Sequence, residues 1–286
     1  MKKFLVLMLT LSVGLGFGAS AKRVKMSANS STSTYDIGKG IHTVRASRGI
    51  DVNVTVSQTP STKARLTVPE NITPYVSIRN IRGVLSVTIK DDIQVENHSD
   101  YPMVLDVTLA PAFKALEASV SSDIIINGDI NTTGDLSLSA STSGDIKAKN
   151  VSAKNVQVKC STSGDVNLRT LNAEAVKVTT STSGDFDAAK VVCSILEMTA
   201  STSGDIDIKA MTAGAVTAVA TTSSEIEIKD GSCTSLDANA STGGDIKASK
   251  VRAGYVTAHA STGGTVKAPD SGSMTKHEST GGHVSK

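Results

Sequence analysis

The pentapeptide Ser-Thr-Ser-Gly-Asp occurs at Ser141, Ser161, Ser181 and Ser201, each copy twenty residues after the last. Variants keep the interval: Thr221 opens TTSSE, Ser241 opens STGGD and Ser261 opens STGGT. A last copy, STGGH, starts at Ser279, two residues early. A twenty-residue unit is too short to enclose a core, so a period kept this strictly requires the units to stack as a solenoid.

Aligning the units produces columns of apolar residues. Ile146, Val166, Phe186, Ile206, Ile226, Ile246, Val266 and Val284 directly follow the corner motif. Val156, Val176, Leu196, Val216, Leu236 and Val256 form another column. Within a unit, apolar and polar residues alternate in three short runs, parted by polar pairs and by the corner. Alternation with a period of two marks strands with one buried face, and the spacing does not fit a helix. The predicted fold is all-β: a right-handed parallel three-sided β-helix with 20-residue coils and an N-terminal β capping region. Coils about 4.8 Å apart leave a narrow bore suited to Val, Ile and Ala. The chain has no Trp, four Phe and four Tyr, as such a bore demands.

Four segments are expected: a signal peptide over 1–21, a flexible Ser-rich stretch over 22–35, an N-terminal β region over 36–112, and the β-helix over 113–286. Lys2 and Lys3, the apolar run from Phe4 to Phe17 and Ala19-Ser20-Ala21 form an export signal. This places the protein in the periplasm, on the cell surface or outside the cell. Without those two lysines the chain carries equal numbers of basic and acidic residues, which argues against a nucleic-acid partner. The apolar run is also shorter than the roughly 20 residues of a membrane span. Residues 36–112 show alternating runs such as 50–56 and 84–89, broken by prolines, but no twenty-residue period. They could cap the helix as a small sheet or as irregular first coils, since an open end offers unpaired backbone groups. The same property makes self-association through the ends a partner expectation.

Cys193 and Cys233 fall in one column two coils apart, roughly 9.6 Å at the strand spacing, beyond the ~7 Å limit for a disulfide. Cys160 lies in a different column. All three are read as small buried apolar residues.

Asp145, Asp165, Asp185, Asp205, Glu225 and Asp245 occupy one corner position in six successive coils. Stacked carboxylates repel, so the file needs a reason. Turn chemistry is one: Gly supplies a positive φ, and the Asp or Ser side chain accepts backbone N–H groups. Calcium is a second, though the nine-residue Gly-Gly-x-Gly-x-Asp pattern of calcium rolls is missing; no cofactor is expected. A recognition surface for a glycan or protein is the third. An enzyme fits poorly. The five histidines share no metal-ligand spacing, no nucleophile elbow or phosphate loop is present, and the carboxylates form a regular file instead of one catalytic pair.

Residues 36–286 resemble a known family. The resemblance rests on Ile41-His42-Thr43-Val44, the strand Asp51–Val56, the segment Gly83–Ile89, the approach Val107-Thr108-Leu109-Ala110-Pro111 to Leu116-Glu117-Ala118-Ser119, and the Ser/Gly-Asp-Ile coils. The chain is similar to the auto-transporter adhesins with a head GIN domain, common in Bacteroidetes. The resemblance implies an exported β-helical protein with a role in adhesion; the function expected for this chain is non-enzymatic binding of a surface glycan or protein. It brings no catalytic residues, and no translocator barrel or sorting domain is recognisable here. A structural envelope or assembly subunit is the alternative, with a carbohydrate-active enzyme behind it.

Overall fold

The computed structural model describes residues 21–96, 101–269 and 271–286. The export signal expected over 1–21 therefore lies, apart from Ala21, outside the described residues. The chain runs first through β1 (Lys22–Lys25), β2 (Ser30–Asp36), β3 (Thr43–Ser47), β4 (Asp51–Val56), β5 (Lys63–Pro69), β6 (Val76–Ile81), β7 (Val84–Ile89), β8 (Ile93–Glu96) and β9 (Val104–Leu109). The stacked coils follow as β10 (Ala115–Ser119), β11 (Ile124–Asn127), β12 (Ile130–Asn131), β13 (Leu136–Ser141), β14 (Ile146–Ser152), β15 (Asn155–Ser161), β16 (Val166–Asn172) and β17 (Ala175–Ser181), and continue to Ser285.

The predicted solenoid is present. β14 pairs in parallel with β16, Ile146 opposite Val166 and Leu171 opposite Val151. β15 pairs likewise with β17, Val156 opposite Val176. One coil shows why the chain turns three times. Ile146, Ala148, Val151, Ala153, Val156, Val158 and Cys160 point inward and are buried. The pairs Lys149–Asn150, Lys154–Asn155 and Thr162–Ser163 face outward and mark three corners. Each inward residue rests on its equivalents in the coils before and after, as Phe186 does between Val166 and Ile206. The three cysteines are buried and unpaired with one another. Burial pushes the Cys193 thiol up to about 11, and Cys160 and Cys233 also upward, so they remain protonated packing residues.

The N-terminal region joins this stack more closely than its sequence implies. β3 pairs in parallel with β10, Thr43 opposite Ala115, and β4 with β11, Val52 opposite Ile124. On its other side β3 pairs in parallel with β7, and β4 with β9. The coil of β3 and β4 is thus sandwiched between one made later in the chain and the first regular coil. No physical break exists at residues 112–113. Beyond it lie antiparallel strands: β6 on β7, β5 on β9, and β2 on β5. The expectation of a flexible 22–35 segment is corrected here. β1 pairs with β8, and the Ser-rich β2 pairs along its whole length with β5. The polar composition reflects an edge strand exposed on one face, which needs no apolar run.

A second correction concerns the corner glycines. In Ser141-Thr142-Ser143-Gly144 the positive φ values belong to Thr142 (51°) and Ser143 (59°), and Gly144 is not in the left-handed region. The Gly144 N–H donates to Ser141 O (3.1 Å), closing a turn with the φ signs of type I′. Glycine is needed for space: a Cβ on Gly164 would lie 2.4 Å from Ser141 N in the preceding coil. In the STGG copies Gly243 and Gly263 take the second central position instead and do adopt positive φ, 72° and 74°. Ser224 occupies the tight position in its own coil by bonding Ala200 O (2.8 Å) and the Thr221 N–H (3.0 Å).

Thermal melts of single variants check this division. Gly164→Val is expected to lower stability by several kcal/mol through overpacking against backbone, far more than Asp165→Asn. Gly263→Ala, where a Cβ meets nothing within 4 Å, is expected to cost only the ~1 kcal/mol of a left-handed alanine. Equal shifts for Gly164→Val and Asp165→Asn would refute the close-approach account.

Candidate functional site

The corner begins with strain. Thr142, Thr162, Thr182, Thr202, Thr222, Thr242, Thr262 and Thr280 all carry φ between 48° and 54°. A left-handed conformation costs an L-residue roughly 1–2 kcal/mol and is rarer still for a β-branched one. Bonds between coils hold it: the Ser143 N–H donates to Thr162 O (3.0 Å), Ser163 to Thr182 O (3.1 Å) and Ser183 to Thr202 O (3.2 Å). Each turn is thus a template for the next, and the threonines stand exposed along one ridge.

The acidic residue comes two positions after the second left-handed residue. Its N–H points to the preceding coil and meets a carboxylate there. Asp165 N–H donates to Asp145 Oδ1 (3.2 Å), Asp185 to Asp165 Oδ1 (2.9 Å), Asp205 to Asp185 Oδ1 (2.9 Å) and Glu225 to Asp205 Oδ1 (2.7 Å). The file extends further toward the N-terminus than the repeat does. Asp145 N–H donates to Asp123 Oδ1 (3.0 Å), and Asp123 N–H to Asp51 Oδ1 (2.8 Å). Asp245 leaves the chain of bonds, its N–H donating to Ser224 O (2.8 Å) instead. Five of the six predicted positions are linked, and Asp245 lies opposite Glu225 in the same file. Asp51 was not legible as a member. Its signal is Arg48-Gly49-Ile50-Asp51, a corner in disguise with positive φ at Arg48 and Gly49.

Charge along the file is uneven. Lys147 Nζ bridges Asp145 (3.2 Å) and Asp123 (3.5 Å), and Lys247 Nζ holds Glu225 (2.5 Å). Between them, the outward position two residues past the corner is Asn167, Asp187, Asp207 and then Glu227. Lys229 pairs with Asp207 and, at 3.5 Å, with Glu227. Burial raises the Asp165 and Asp205 carboxyls above the ordinary range, with neighbouring carboxylates adding to it. Asp187 is raised by burial first and then by Asp207, Asp185 and Asp165. This second acidic column was missed from sequence, although it repeats at the same period. Among the described residues no three His, Cys, Asp or Glu side chains are grouped to hold a metal ion. None of the described helices is long and apolar enough to cross a membrane.

Two expectations follow. Asp165→Ala leaves the Asp185 N–H without its acceptor and should cost about 1 kcal/mol, whereas Asp165→Asn keeps an Oδ1 in place and should cost less. For Asp187 the raised carboxyl favours the protonated folded state. Its stabilising contribution is complete below the ordinary carboxylate range near pH 4 and lost as pH rises through the raised value. Asp187→Asn should therefore stabilise the fold at pH 7 by less than about 1 kcal/mol at this partly exposed site, seen as a higher melting temperature. That gain should fade toward pH 4, as melts across that range would show. A gain constant with pH would refute the repulsion.

Solved structures share this architecture. A "putative lipid binding protein" from Parabacteroides distasonis ATCC 8503 is similar with a TM-score of 0.66 at 17% identity, covering 93% of this chain and 99% of that one. A "putative adhesin" from Parabacteroides merdae ATCC 43184 gives 0.61 at 18% identity, over 90% and 99%. Another from Bacteroides fragilis NCTC 9343 gives 0.55 at 16%, again over 90% and 99%. At these identities the likeness is one of fold. Among curated proteins no match was found. The sequence profile described as "putative auto-transporter adhesin, head GIN domain" matches residues 41–218 and 194–285, and together these span the stacked coils from β3 onward. The chain belongs to that family.

Proposed function

We propose that the protein is an exported, non-enzymatic surface adhesin that binds a glycan or protein along its repetitive Ser/Thr/Asp edge. The observation that carries this reading is the file itself: hydroxyls recur once per coil along an exposed ridge, with mostly half-buried carboxylates beside them. A ligand with its own repeat could meet such an edge at many points, each weak, with affinity arising from their number. The ladder Asp145, Asp165, Asp185, Asp205, Glu225 and Asp245 is the proposed contact line. In Asp165, Asp185 and Asp205 one oxygen serves the neighbouring coil's amide and the other is left to face the ligand, while Asp145 and Glu225 each carry a lysine. Family membership supports export and surface binding. The non-enzymatic reading rests on repetition, since acid–base catalysis needs two carboxyls in different environments facing one bond.

The test separates binding from folding by isosteric change. The chain lacking residues 1–21 is applied to glycan arrays and to surface-protein pull-downs. A captured partner should be lost at least tenfold by the triple variant Asp165→Asn, Asp185→Asn, Asp205→Asn, with melting nearly unchanged because each Asn keeps its Oδ1. Full retention of the partner by a folded triple variant would move the contact line elsewhere.

A further inference from the structure

The C-terminal end of the solenoid differs chemically from every coil before it. The strand Ser271–Glu278 pairs with Val251–Ala260, which sets Met274 opposite Val256, Lys276 opposite Ala258 and Glu278 opposite Ala260. These three are inward positions. The file Ala200, Ala220, Ala240 and Ala260 is buried throughout and ends in a glutamate. The neighbouring file of Ala218, Ala238 and Ala258 ends in a lysine.

Both charges fold over the end of the stack. In earlier coils the N–H of the residue after the corner acid reaches forward: Ile146 donates to Asp165 O (2.8 Å), and Val166 to Asp185 O (3.0 Å). Val284 holds that place in the last coil, opposite Val266. Its N–H donates to Glu278 Oε1 (2.6 Å), and its carbonyl accepts from Lys276 Nζ (2.7 Å). Lys276 and Glu278 also pair with each other at 2.9 Å, and His283 Nδ1 stands 3.5 Å from Glu278. The Val284 N–H, and then Lys276, hold the Glu278 carboxyl below its usual range, so it is ionised at neutral pH. Two side chains occupy the hydrogen-bonding places that a further coil would fill.

We propose that Lys276 and Glu278 form a charged plug that ends the solenoid and prevents a second copy of this chain from stacking on its C-terminal coil. Inward-pointing charge is a recognised means of blunting an open sheet edge. A copy adding here must displace both side chains from Val284 and bury them against its own apolar files, unpaired with water. Such a plug would leave self-association through the C-terminal coil end disfavoured. It does not depend on any ligand along the acidic edge.

The test compares the purified full chain with the double variant Lys276→Ala, Glu278→Ala, which continues the two alanine files. Sedimentation velocity over a concentration series should place association of the double variant at a concentration at least tenfold lower than for the parent chain. If the last coil of the variant instead frays, the exposed files of Val256, Ala258 and Ala260 are also uncharged, so association is still expected. An unchanged concentration dependence therefore overturns the proposal in either case. Amide exchange provides the second readout. The Val284 amide should be protected in the parent and exchange at least tenfold faster in Glu278→Ala. An unprotected Val284 amide in the parent would also overturn the plug.

Discussion

Parallel pairing between residues twenty apart is the constraint on which the rest of this protein depends. Once Ile146 is opposite Val166, every other inward residue of the two coils is aligned as well. The aliphatic files, the stacked turns and the acidic ladder are three consequences of one register. The register also explains how two unfavourable features persist. Threonine in a left-handed turn is strained, but each turn donates to the next and over-determines the conformation. Carboxylates one coil apart repel, but Asp145, Asp165, Asp185 and Asp205 each accept the N–H of the next acid and replace a backbone carbonyl in the inter-coil bonding. Hydrogen bonds to a charged acceptor are stronger than neutral ones, which offsets part of the repulsion.

A stack built this way has no intrinsic reason to stop, so its two ends need separate solutions. At the N-terminal end the pairing changes direction: β6 and β5 add antiparallel to β7 and β9, and the polar β2 forms the outer edge. At the other end the stack stops by a change of side chain, with Lys276 and Glu278 in files that were alanine. The first solution uses additional strands and the second two charged side chains. Both reduce the exposed, flat, apolar edge that would otherwise recruit further strands.

How much was readable depended on how far apart the partners lie in the chain. From Ile146 onward each residue repeats its neighbour's pattern at a constant interval, so alignment of the columns was enough to place Phe186, Cys193 and the acidic corner. Upstream the partners are distant: Thr43 lies opposite Ala115 and Asp51 adjoins Asp123, seventy-two residues away. The intervening excursion through β5 to β9 hides the register. Ser-rich β2 was misread because an edge strand with one wet face has the composition of a flexible segment. The corner glycines were placed correctly but for the wrong reason, because lack of space beside a preceding coil and a positive φ both exclude side chains. Only coordinates separate Gly164, crowded at 2.4 Å by Ser141 N, from Gly263, which has open space and a φ of 74°.

The periodic string of residues sufficed to specify a stack of β coils, its core and the location of its acidic edge, since each of these follows from local alternation repeated at a fixed interval. What the carboxylates bond to, which glycine is steric and which conformational, and how the stack ends were settled only in three dimensions. Those properties arise where one coil touches the next at a particular atom. A pattern of residue types records that two groups are neighbours, but not which oxygen meets which amide. That choice depends on the direction in which each backbone N–H points after the chain has turned its corner.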